Sequence, residues 1–407
     1  MDVEEESVSV TTAEHTRSRR RWLVLAIGVF SQASACAFVY GIPFLVPQLR
    51  DTFGLSLAEV GVYVAAPTAG LLLTLVAWGA AADKFGERRV MALGLSTGSL
   101  AMGWVALGPH DNGAGVVVLL GLAGALSSSV WAASGRMVMG WFPRSERGVA
   151  MGIRQTAQPL GVGIAGLLLP TLGQHLGAFT ALAVPAGLCL VAAVLIATLA
   201  PDPPREPRAE GEPTARSPYS GTPLWRIHLS SALLVVPQFA IAVFSTEYLV
   251  REQHWAAASA GAFVAVMQVV GAAGRIGAGW WSDRVGSRMR PMRQLAAGAT
   301  LVLLAFALGD LVAPWLAVAA LAVGAVVSVA DNGLAYTAVA ELAGSSWSGR
   351  ALGIQNTGQN LVSAAAPVAL GAIIGVAGYA VGFALAALAP LAAVATTPVR
   401  GERPPSW

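Results

Sequence analysis

The sequence predicts an all-α membrane protein in which twelve transmembrane helices form two pseudo-symmetric six-helix bundles. Three observations support this fold class. Of the 407 residues, 55% are hydrophobic and only 12% are charged. The apolar residues fall into twelve runs, each long enough to cross the roughly 30 Å hydrocarbon core of a bilayer. Two sequence patterns of the first half also recur about 200 residues later, which predicts that one six-helix unit has been duplicated.

The low charge separates this chain from soluble proteins, in which roughly 25% of residues are charged. The mean hydropathy is +0.64. The net charge of +3 does not indicate a nucleic-acid-binding protein, because the cations punctuate apolar runs instead of forming one basic face. Cys36 and Cys189 lie in apolar runs, where a lone cysteine is usually a small core residue. We therefore expect no disulfide framework, metal site or cofactor.

The twelve predicted helices follow from apolar runs of about 20 residues. The first run follows three arginines at 19–21, as a signal peptide would, but it is too long and no small-residue cleavage site follows it. We therefore expect it to be a retained helix. The predicted helices cover residues 22–47, 58–80, 90–108, 114–140, 148–170 and 178–199 in the first half, and 227–249, 256–281, 293–312, 314–342, 350–375 and 378–397 in the second.

The distribution of cations predicts the orientation. The N-terminal tail, the even-numbered connections and the C-terminal tail hold 20 of the 25 Arg and Lys residues, whereas the odd-numbered connections hold only Arg50 and Arg251. Arg and Lys concentrate in cytoplasmic loops, so both termini are predicted to be cytoplasmic. Abundant Ala and Gly, with a single lysine among the cations, indicate a GC-rich bacterial source and hence the bacterial inner membrane.

The predicted bundles comprise residues 22–199 and 227–397, joined by a cytoplasmic linker at 200–226. Residues 201–223 are rich in Pro, Glu and Arg and have no apolar face to bury, which predicts disorder. Residues 1–21 are predicted to be a disordered tail of the same kind, and residues 398–407 form a second cytoplasmic tail.

Two repeated patterns connect the halves. GAAADKFGERR at 79–89 recurs as GWWSDRVGSRMR at 279–290, in each case after the second helix of its half. GIRQTAQPL at 152–160 recurs as GIQNTGQNL at 353–361, at an offset of 201 residues. Parallel halves that enclose a site near the membrane midplane are a known plan of transporters.

The charged pattern at 79–89 resembles the signature of the major facilitator superfamily, which lies between that family's second and third helices, and the second half carries a weaker copy. The chain resembles this family over nearly its whole length. The resemblance implies the family's fold and transport of a small molecule by alternating access. We expect a monomer embedded in the lipid bilayer.

The resemblance also implies a cytoplasmic gate, because in this family the acid of the signature engages the opposite half near the start of the eleventh helix. That start holds Arg350, and by pseudo-symmetry Asp283 would face Arg147. A carboxylate at a helix N-terminus is also stabilised by the helix dipole. A purely topological reading explains the cations but not the matched acids. The predicted gate comprises Gly79, Asp83, Gly86, Arg88, Arg147, Asp283, Gly286 and Arg350.

Two arginines inside helices are the strongest candidates for binding a substrate, since a charge at the bilayer centre costs roughly 2.5–3.5 kcal/mol on insertion scales. Arg154 and Arg275 lie roughly 12–13 Å from the cytoplasmic end at 1.5 Å per residue. The resemblance implies that their helices meet between the halves. Two converging guanidiniums would bind a carboxylate or phosphate. The alternative is that each pairs with a structural acid or a helix carbonyl. Arg136 is expected to snorkel to the cytoplasmic face or join the gate.

Neutral polar residues accompany these arginines. Gln32 and Gln238 hold matching places in helices one and seven, where a single amide is equally consistent with helix packing. Asp331 is either a proton carrier or a structural partner of Arg275. The candidate substrate residues are Arg154, Gln155, Gln158, Arg275, Gln355, Asn356, Gln359, Gln32 and Gln238.

Other classes of function are less consistent with the sequence. The five histidines lie in tails, loops or helix ends, and no metal-ligand spacing, nucleophile elbow or phosphate-binding loop occurs, so we do not expect an enzyme. The favoured function is secondary transport of a small organic anion, with a proton as the candidate coupling ion. The alternative is a proton-driven exporter of drugs or metabolites, and a non-transporting membrane sensor is a minor one. AQPLGVG at 157–163, with its shifted glycines, and the absence of a cation from GLAGALSSSVW disfavour the exporter.

Overall fold

The computed structural model describes residues 2–55, 57–110, 113–203, 217–344 and 346–399, and within these ranges all regular structure is helical. Short 3-10 turns connect some of the α-helices. The α-helices are α1 Asp2–Val39, α2 Val46–Phe53, α3 Leu57–Phe85, α4 Glu87–Leu107, α5 Gly113–Ser127, α6 Ser129–Trp141, α7 Arg147–Arg154, α8 Ala157–Leu176, α9 Ala183–Leu199, α10 Pro223–Arg251, α11 Ala257–Val285, α12 Met289–Val312, α13 Pro314–Ala330, α14 Asn332–Ala343, α15 Ser348–Ala386 and α16 Leu388–Thr396.

Among the described residues, eleven helical stretches are long and apolar enough to cross a membrane. The last, Ser348–Thr396, has 49 residues. At 1.5 Å per residue it would be about 73 Å long, more than twice the bilayer core. Gly378 interrupts it with φ 84° and ψ 171°, a conformation that glycine tolerates and other residues avoid. This break divides the stretch into two crossings, which gives the twelve that the sequence predicts.

Three of the predicted helices are broken near their middles. The fourth divides into α5 and α6 at Ser128, the fifth into α7 and α8 at Gln155 and Thr156, and the tenth into α13 and α14 at Asp331. A break inside a membrane helix is tolerated where protein satisfies the freed backbone groups. At Gln155 the main-chain oxygen accepts a hydrogen bond from Arg275, so a polar side chain replaces the missing helical bond.

Both ends of the first predicted helix need correction. The helix ends at Val39 rather than at 47, because the chain continues through a 3-10 turn, Ile42–Leu45, that contains Pro43. Proline lacks the N–H that an α-helix needs. At the other end the helix begins at Asp2, so the tail predicted to be disordered is helical from that residue. Extending a helix that is already nucleated adds one hydrogen bond per residue and costs far less than starting one.

Part of the predicted linker is ordered. Ser217 Oγ accepts a hydrogen bond from the Tyr219 N–H at 3.3 Å, and a 3-10 turn follows. α10 then begins at Pro223, four residues before the predicted start, as expected of a residue favoured in the first helical turn. The predicted disorder of residues 204–216 and the tail at 400–407 lie outside the described residues.

Packing divides the chain into two compact units. The first comprises Met1–Thr74, Lys84–Pro143 and Leu160–Pro207, and the second comprises Leu75–Asp83, Arg144–Pro159 and Arg208–Trp407. The second unit therefore includes the end of α3, all of α7 and the start of α8. These segments lie in the first half of the sequence, yet they pack with helices of the second half.

Each unit has its own interior. In the first, the fully buried Glu87 of α4 forms an ion pair with Arg136 of α6. In the second, the rings of Phe306 and Phe383 stack with centroids 3.9 Å apart, and the Tyr248 ring meets Phe306 edge-on at 4.7 Å. Close packing of this kind matters in a bilayer because lipid tails are as apolar as the side chains themselves.

Candidate functional site

Arg154 and Arg275 meet at Gln155, in the break between α7 and α8. The Arg154 Nη1 donates to Gln155 Oε1 at 2.7 Å, and the Arg275 Nη1 donates to the main-chain oxygen of the same residue. Their side chains are almost inaccessible, with 1% and 6% of each residue exposed. The structure therefore places together the two arginines that the sequence selects from the fifth and eighth helices.

The charge of Arg275 is incompletely balanced. Its Nε is buried without a hydrogen-bond partner, and the same is true of Oδ2 of Asp331, which is 2% exposed. Asp331 acts on Arg275 through space. Within the described residues, however, no acid forms an ion pair with Arg275. The buried arginine thus retains a donor for another acceptor.

Tyr336 connects Arg154 to the polar face of α15. The guanidinium carbon of Arg154 lies 5.6 Å from the centroid of the Tyr336 ring, a cation–π arrangement. The Tyr336 hydroxyl lies 2.6 Å from Asn356 Oδ1 and 2.7 Å from Gln359 Oε1. With one proton, it donates to one of them at a time. The sequence analysis missed this tyrosine, although it lies four residues after Asn332 on the same helical face.

A chain of amides extends from Gln359 to α10. The Gln359 Nε2 donates to Ser231 Oγ at 2.7 Å and to Asn332 Oδ1 at 3.3 Å. The Asn332 Nδ2 donates to Gln238 Oε1 at 3.1 Å. Together with the bonds of Tyr336, these bonds join three predicted candidates, Gln238, Asn356 and Gln359, in one network. We call the set Arg154, Gln155, Arg275, Asp331, Asn332, Tyr336, Asn356 and Gln359 the polar cluster.

Three other candidates have no hydrogen bond to either guanidinium within the described residues. Gln355 donates to Ser231 Oγ at 2.5 Å and bonds His228 Nδ1, so it faces α10. Within the described residues, Gln158 has no hydrogen bond to either guanidinium. In the first unit, Gln32 Oε1 accepts from the Ser134 hydroxyl at 3.3 Å, a contact that joins α1 to α6.

His228 connects Gln355 of α15 to Tyr219, near the end of the predicted linker. Its Nε2 lies 2.9 Å from the Tyr219 hydroxyl, and the two rings stack with centroids 5.8 Å apart. Burial raises the pKa of Tyr219 to about 12, so this phenol is neutral at physiological pH. The sequence analysis had set all five histidines aside as groups in tails, loops or helix ends.

The two acids of the repeated pattern make matching contacts in the second unit. Asp83 accepts hydrogen bonds from the N–H groups of Gly349 and Arg350, at 2.9 and 3.1 Å. Asp283 accepts from Gly148 and Val149, at 3.0 and 2.9 Å. These N–H groups belong to the first turns of α15 and α7, where they lack helical partners and where the helix dipole favours a carboxylate. We call this region the charged end.

Glycines of the pattern have two separate roles. A Cβ on Gly79 would lie 2.2 Å from the Gly349 oxygen, and a Cβ on Gly279 would lie 2.2 Å from the Gly148 oxygen. These glycines therefore permit close helix contact. Gly86 and Gly286 instead have positive φ, 94° and 65°, and form the turns that follow.

The arginines around the charged end are arranged differently from the prediction. The guanidinium that pairs with Asp283 is that of Arg288, which reaches back across the Gly286 turn. Arg147, the predicted partner, lies 3.8 Å from Glu341 on α14. Arg350 is near Asp83 as predicted, with Nε 3.8 Å from Oδ2.

Two further arginines make contacts within the first unit. Arg88 donates to the main-chain oxygen of Ala197, although it was predicted to lie in the gate. Arg136 pairs with Glu87 instead of snorkelling or joining the gate. The acid partner explains why Arg136 is buried. In the sequence Glu87 is one of several charges in a predicted loop, so this ion pair was not predicted.

Residues 25–367 match the sequence model of the Major Facilitator Superfamily. The chain belongs to this family. It is therefore a multi-pass membrane transporter and not an enzyme, and the all-α fold predicted from the sequence is confirmed.

This MFS transporter is 42% identical over 382 residues to an uncharacterized MFS-type transporter of Mycobacterium tuberculosis, which covers 93% of this chain and 85% of the relative. A probable hexose phosphate transport protein of Chlamydia pneumoniae is 22% identical over 328 residues, which covers 72% and 70%. The crystal structure of the human organic anion transporter MFSD10 (TETRAN) superposes with a TM-score of 0.68 at 18% identity, covering 93% of this chain and 99% of that one.

Proposed function

We propose that this MFS transporter moves a small organic anion by alternating access, and that Arg154 and Arg275 form its cationic site. The observation that carries the proposal is the convergence of both buried guanidiniums on Gln155, with the Arg275 Nε left without a partner. A buried donor of this kind is costly until it finds an acceptor. An anion would supply the acceptor and the charge together.

The names of two similar proteins agree with anionic cargo. One is a probable hexose phosphate transport protein and the other is an organic anion transporter. Both are less than 25% identical to this chain, so the geometry of the polar cluster carries the argument and the names only accompany it.

Asp331 is proposed to couple transport to protons. Its carboxylate is buried, acts on Arg275 through space and keeps one oxygen without a hydrogen-bond partner. Protonation would remove its attraction for Arg275 and leave the guanidinium free for the substrate. Asp331→Asn should therefore abolish accumulation driven by a pH gradient while exchange of substrate for substrate continues. Gradient-driven accumulation by this variant would contradict the role.

The charged end is proposed to be the cytoplasmic gate, closed in this structure. Both acid contacts are formed there, and the distribution of Arg and Lys supports a cytoplasmic location for this end. A cysteine at the exposed Ser217 should react with an impermeant maleimide only in opened cells or inside-out vesicles. Reaction in intact cells would reverse the orientation.

The site is tested by transport into proteoliposomes. A panel of radiolabelled small carboxylates and phosphates is compared for wild type, Arg154→Gln and Arg275→Gln. A charge-assisted hydrogen bond contributes roughly 1.5–3 kcal/mol, so each variant should bind and transport the anion about tenfold to a hundredfold less well. Arg275→Lys should recover little, since a point charge cannot replace the fork.

The matched control is Arg251→Gln, because Arg251 is exposed and pairs with the exposed Glu247 on its own helix. This variant should transport as wild type does. Full anion transport by both Arg154→Gln and Arg275→Gln would show that the arginines are structural. Export of drugs or metabolites would then become the leading function.

A further inference from the structure

A cavity of about 60 Å³ lies in the second unit between α10, α11 and α13. Arg275 lies on its polar side together with Gln238, Gln268 and Ser328. The opposite side is apolar. It is formed mainly by Ile241, Phe263, Val264, Met267, Leu321 and Val329.

Two residues of the cavity lining each have a buried polar atom without a hydrogen-bond partner, namely Arg275 Nε and Ser328 Oγ. Buried polar groups are nearly always paired, so two unpaired ones on residues that line the same cavity favour a ligand that supplies acceptors there. Both can donate, and Gln238 adds amide N–H groups because its bond to Asn332 uses only the carbonyl oxygen. Among the described residues that line the cavity, none is acidic. The lining therefore suits the oxygens of an anion.

The size of the cavity limits that anion. A water-sized group needs roughly 10–15 Å³ by this measure, so a volume of about 60 Å³ accommodates about four to six non-hydrogen atoms. Arg275 is the only charged side chain among the described lining residues, which favours a single negative charge. A hexose phosphate or a dicarboxylate exceeds these limits in size or in charge.

We propose that the cavity binds a short-chain monocarboxylate of about two to four carbons. The carboxylate would accept from Arg275 Nε and Ser328 Oγ, and the alkyl chain would pack against Phe263, Val264 and Met267. Arg154 is not part of the cavity lining, but its guanidinium shares Gln155 with that of Arg275 and adds positive charge beside the proposed carboxylate. This inference rests on the proposed anion transport and names the substrate class of the same site.

The first experiment measures binding of a homologous series to the purified transporter. Acetate, propionate, butyrate, valerate and octanoate are compared by calorimetry with succinate, glucose 6-phosphate and the neutral butyramide. Each methylene that enters the apolar side should tighten binding about fourfold. Affinity should rise to four carbons and fall at octanoate, while butyramide and the dianions should bind at least tenfold more weakly than butyrate.

Two substitutions of the lining test the position of the alkyl chain. Ala325→Leu has a larger side chain, which makes the cavity smaller, and should shift the preferred chain length toward acetate. Met267→Ala has a smaller side chain, which makes the cavity larger, and should shift the preferred chain length toward valerate or longer acids. Val269→Leu is the control, because Val269 is largely exposed on the same helix as Met267 and does not line the cavity. Its length profile should match that of wild type.

The outcomes separate this inference from the function on which it rests. If larger or doubly charged anions bind in an Arg275-dependent manner and neither lining variant shifts the length profile, anion transport stands and the monocarboxylate cavity is wrong. If no anion of any length binds and Arg275→Gln changes nothing, the proposed function itself is wrong. A length profile that shifts in opposite directions in the two variants supports both.

Discussion

Two helix contacts in the second unit follow the same plan. In one, the end of α3 meets the start of α15, and in the other the end of α11 meets α7. Each has a glycine pair in which an added Cβ would lie 2.2 Å from a backbone oxygen. Each also has a carboxylate, Asp83 or Asp283, that accepts two N–H groups from the first turn of the partner helix. The backbone arrangement of the charged end is thus duplicated.

The two contacts differ in their charges. Asp283 pairs with Arg288, whose side chain is 8% exposed. Asp83 instead has the guanidinium of Arg350, whose side chain is 36% exposed, at a distance of 3.8 Å. Two turns deeper, Arg275 of α11 corresponds to Leu75 of α3 at the repeat spacing of 200 residues. At this depth the α3 contact has an apolar residue. The α11 contact carries Asp283 and Arg275 on one helix.

This difference suggests how site and gate communicate. Gly152 of α7 packs against the backbone of Arg275 and Ile276, as Gly353 of α15 packs against Leu75 and Val76. Any movement of α11 away from α7 therefore displaces Arg275 together with Asp283. Binding of an anion at Arg275 would shift the equilibrium between the closed and the open charged end through this rigid helix. The α3 contact, which has Leu75 at the matching position, would open or close with it.

The largest effects should come from the glycine pairs, because they affect what the two contacts share. Gly79→Ala and Gly279→Ala each place a Cβ 2.2 Å from a backbone oxygen. The helices cannot then close, so we expect transport to fall at least tenfold and the label distances at the charged end to lengthen in both variants. Spin labels at Lys84 and Leu342 report on α3, and labels at Ser145 and Arg284 report on α11.

The chain offers a control for each glycine variant. Gly61 on α3 and Gly277 on α11 have open space where a Cβ would lie. Gly61→Ala and Gly277→Ala should therefore leave transport and label distances as in wild type. Normal closure by Gly79→Ala and Gly279→Ala would show that the close approach is not required.

The next effect should come from Asp283→Asn. It removes the carboxylate from a buried pair, and among the described residues Glu341, at 3.4 Å, remains as an acid partner of Arg288. Breaking a buried pair typically costs about 3–5 kcal/mol, and Glu341 places the expected loss near the lower end. Closure at α11 should weaken by about a hundredfold, as measured from populations of the label pair at Ser145 and Arg284.

A second substitution separates the pair from the helix cap. In Asp283→Asn with Arg288→Gln, the guanidinium that loses the Asp283 carboxylate is also removed, so the double variant should close better than Asp283→Asn alone. A double variant that is worse by the sum of both single effects would show that Arg288 and Asp283 act independently.

A smaller effect is expected from Asp83→Asn. The amide keeps one acceptor oxygen but loses the charge that faces the start of α15. Loss of the charge–dipole term and of one hydrogen bond should cost about 1–2 kcal/mol. The closed population should fall about tenfold by the labels at Lys84 and Leu342, while Glu247→Gln, an exposed acid at the end of α10, should have no effect. Unchanged distances in Asp83→Asn would reduce the pattern to a topology signal.

The sequence predicted the number of helices and the matched positions of the two acids better than it predicted the partners of those acids. Apolar run lengths and the two repeats fix the number of helices and the matched positions of Asp83 and Asp283, because these depend on composition and spacing alone. Partner choice depends on side-chain direction at helix ends, and there Arg288 replaced Arg147. Breaks at Gln155 and Asp331 were missed because neither contains proline, and the compensating bond from Arg275 comes from a distant segment. Tyr336 has no signal apart from its place on a polar face.

The smallest effect should come from Arg350→Gln. Arg350 supplies its backbone N–H to Asp83 whatever its side chain is. Its guanidinium is partly exposed, lies 3.8 Å from the carboxylate and contacts the Trp347 ring at 4.7 Å. Exposed pairs contribute about 0–1 kcal/mol, so closure at α3 should weaken no more than about fivefold. Arg288→Gln, measured by the labels on the α11 side, should weaken closure far more. Equal losses in the two variants would mean that the two ion pairs contribute the same free energy to closure, and that their different burial has no consequence for it.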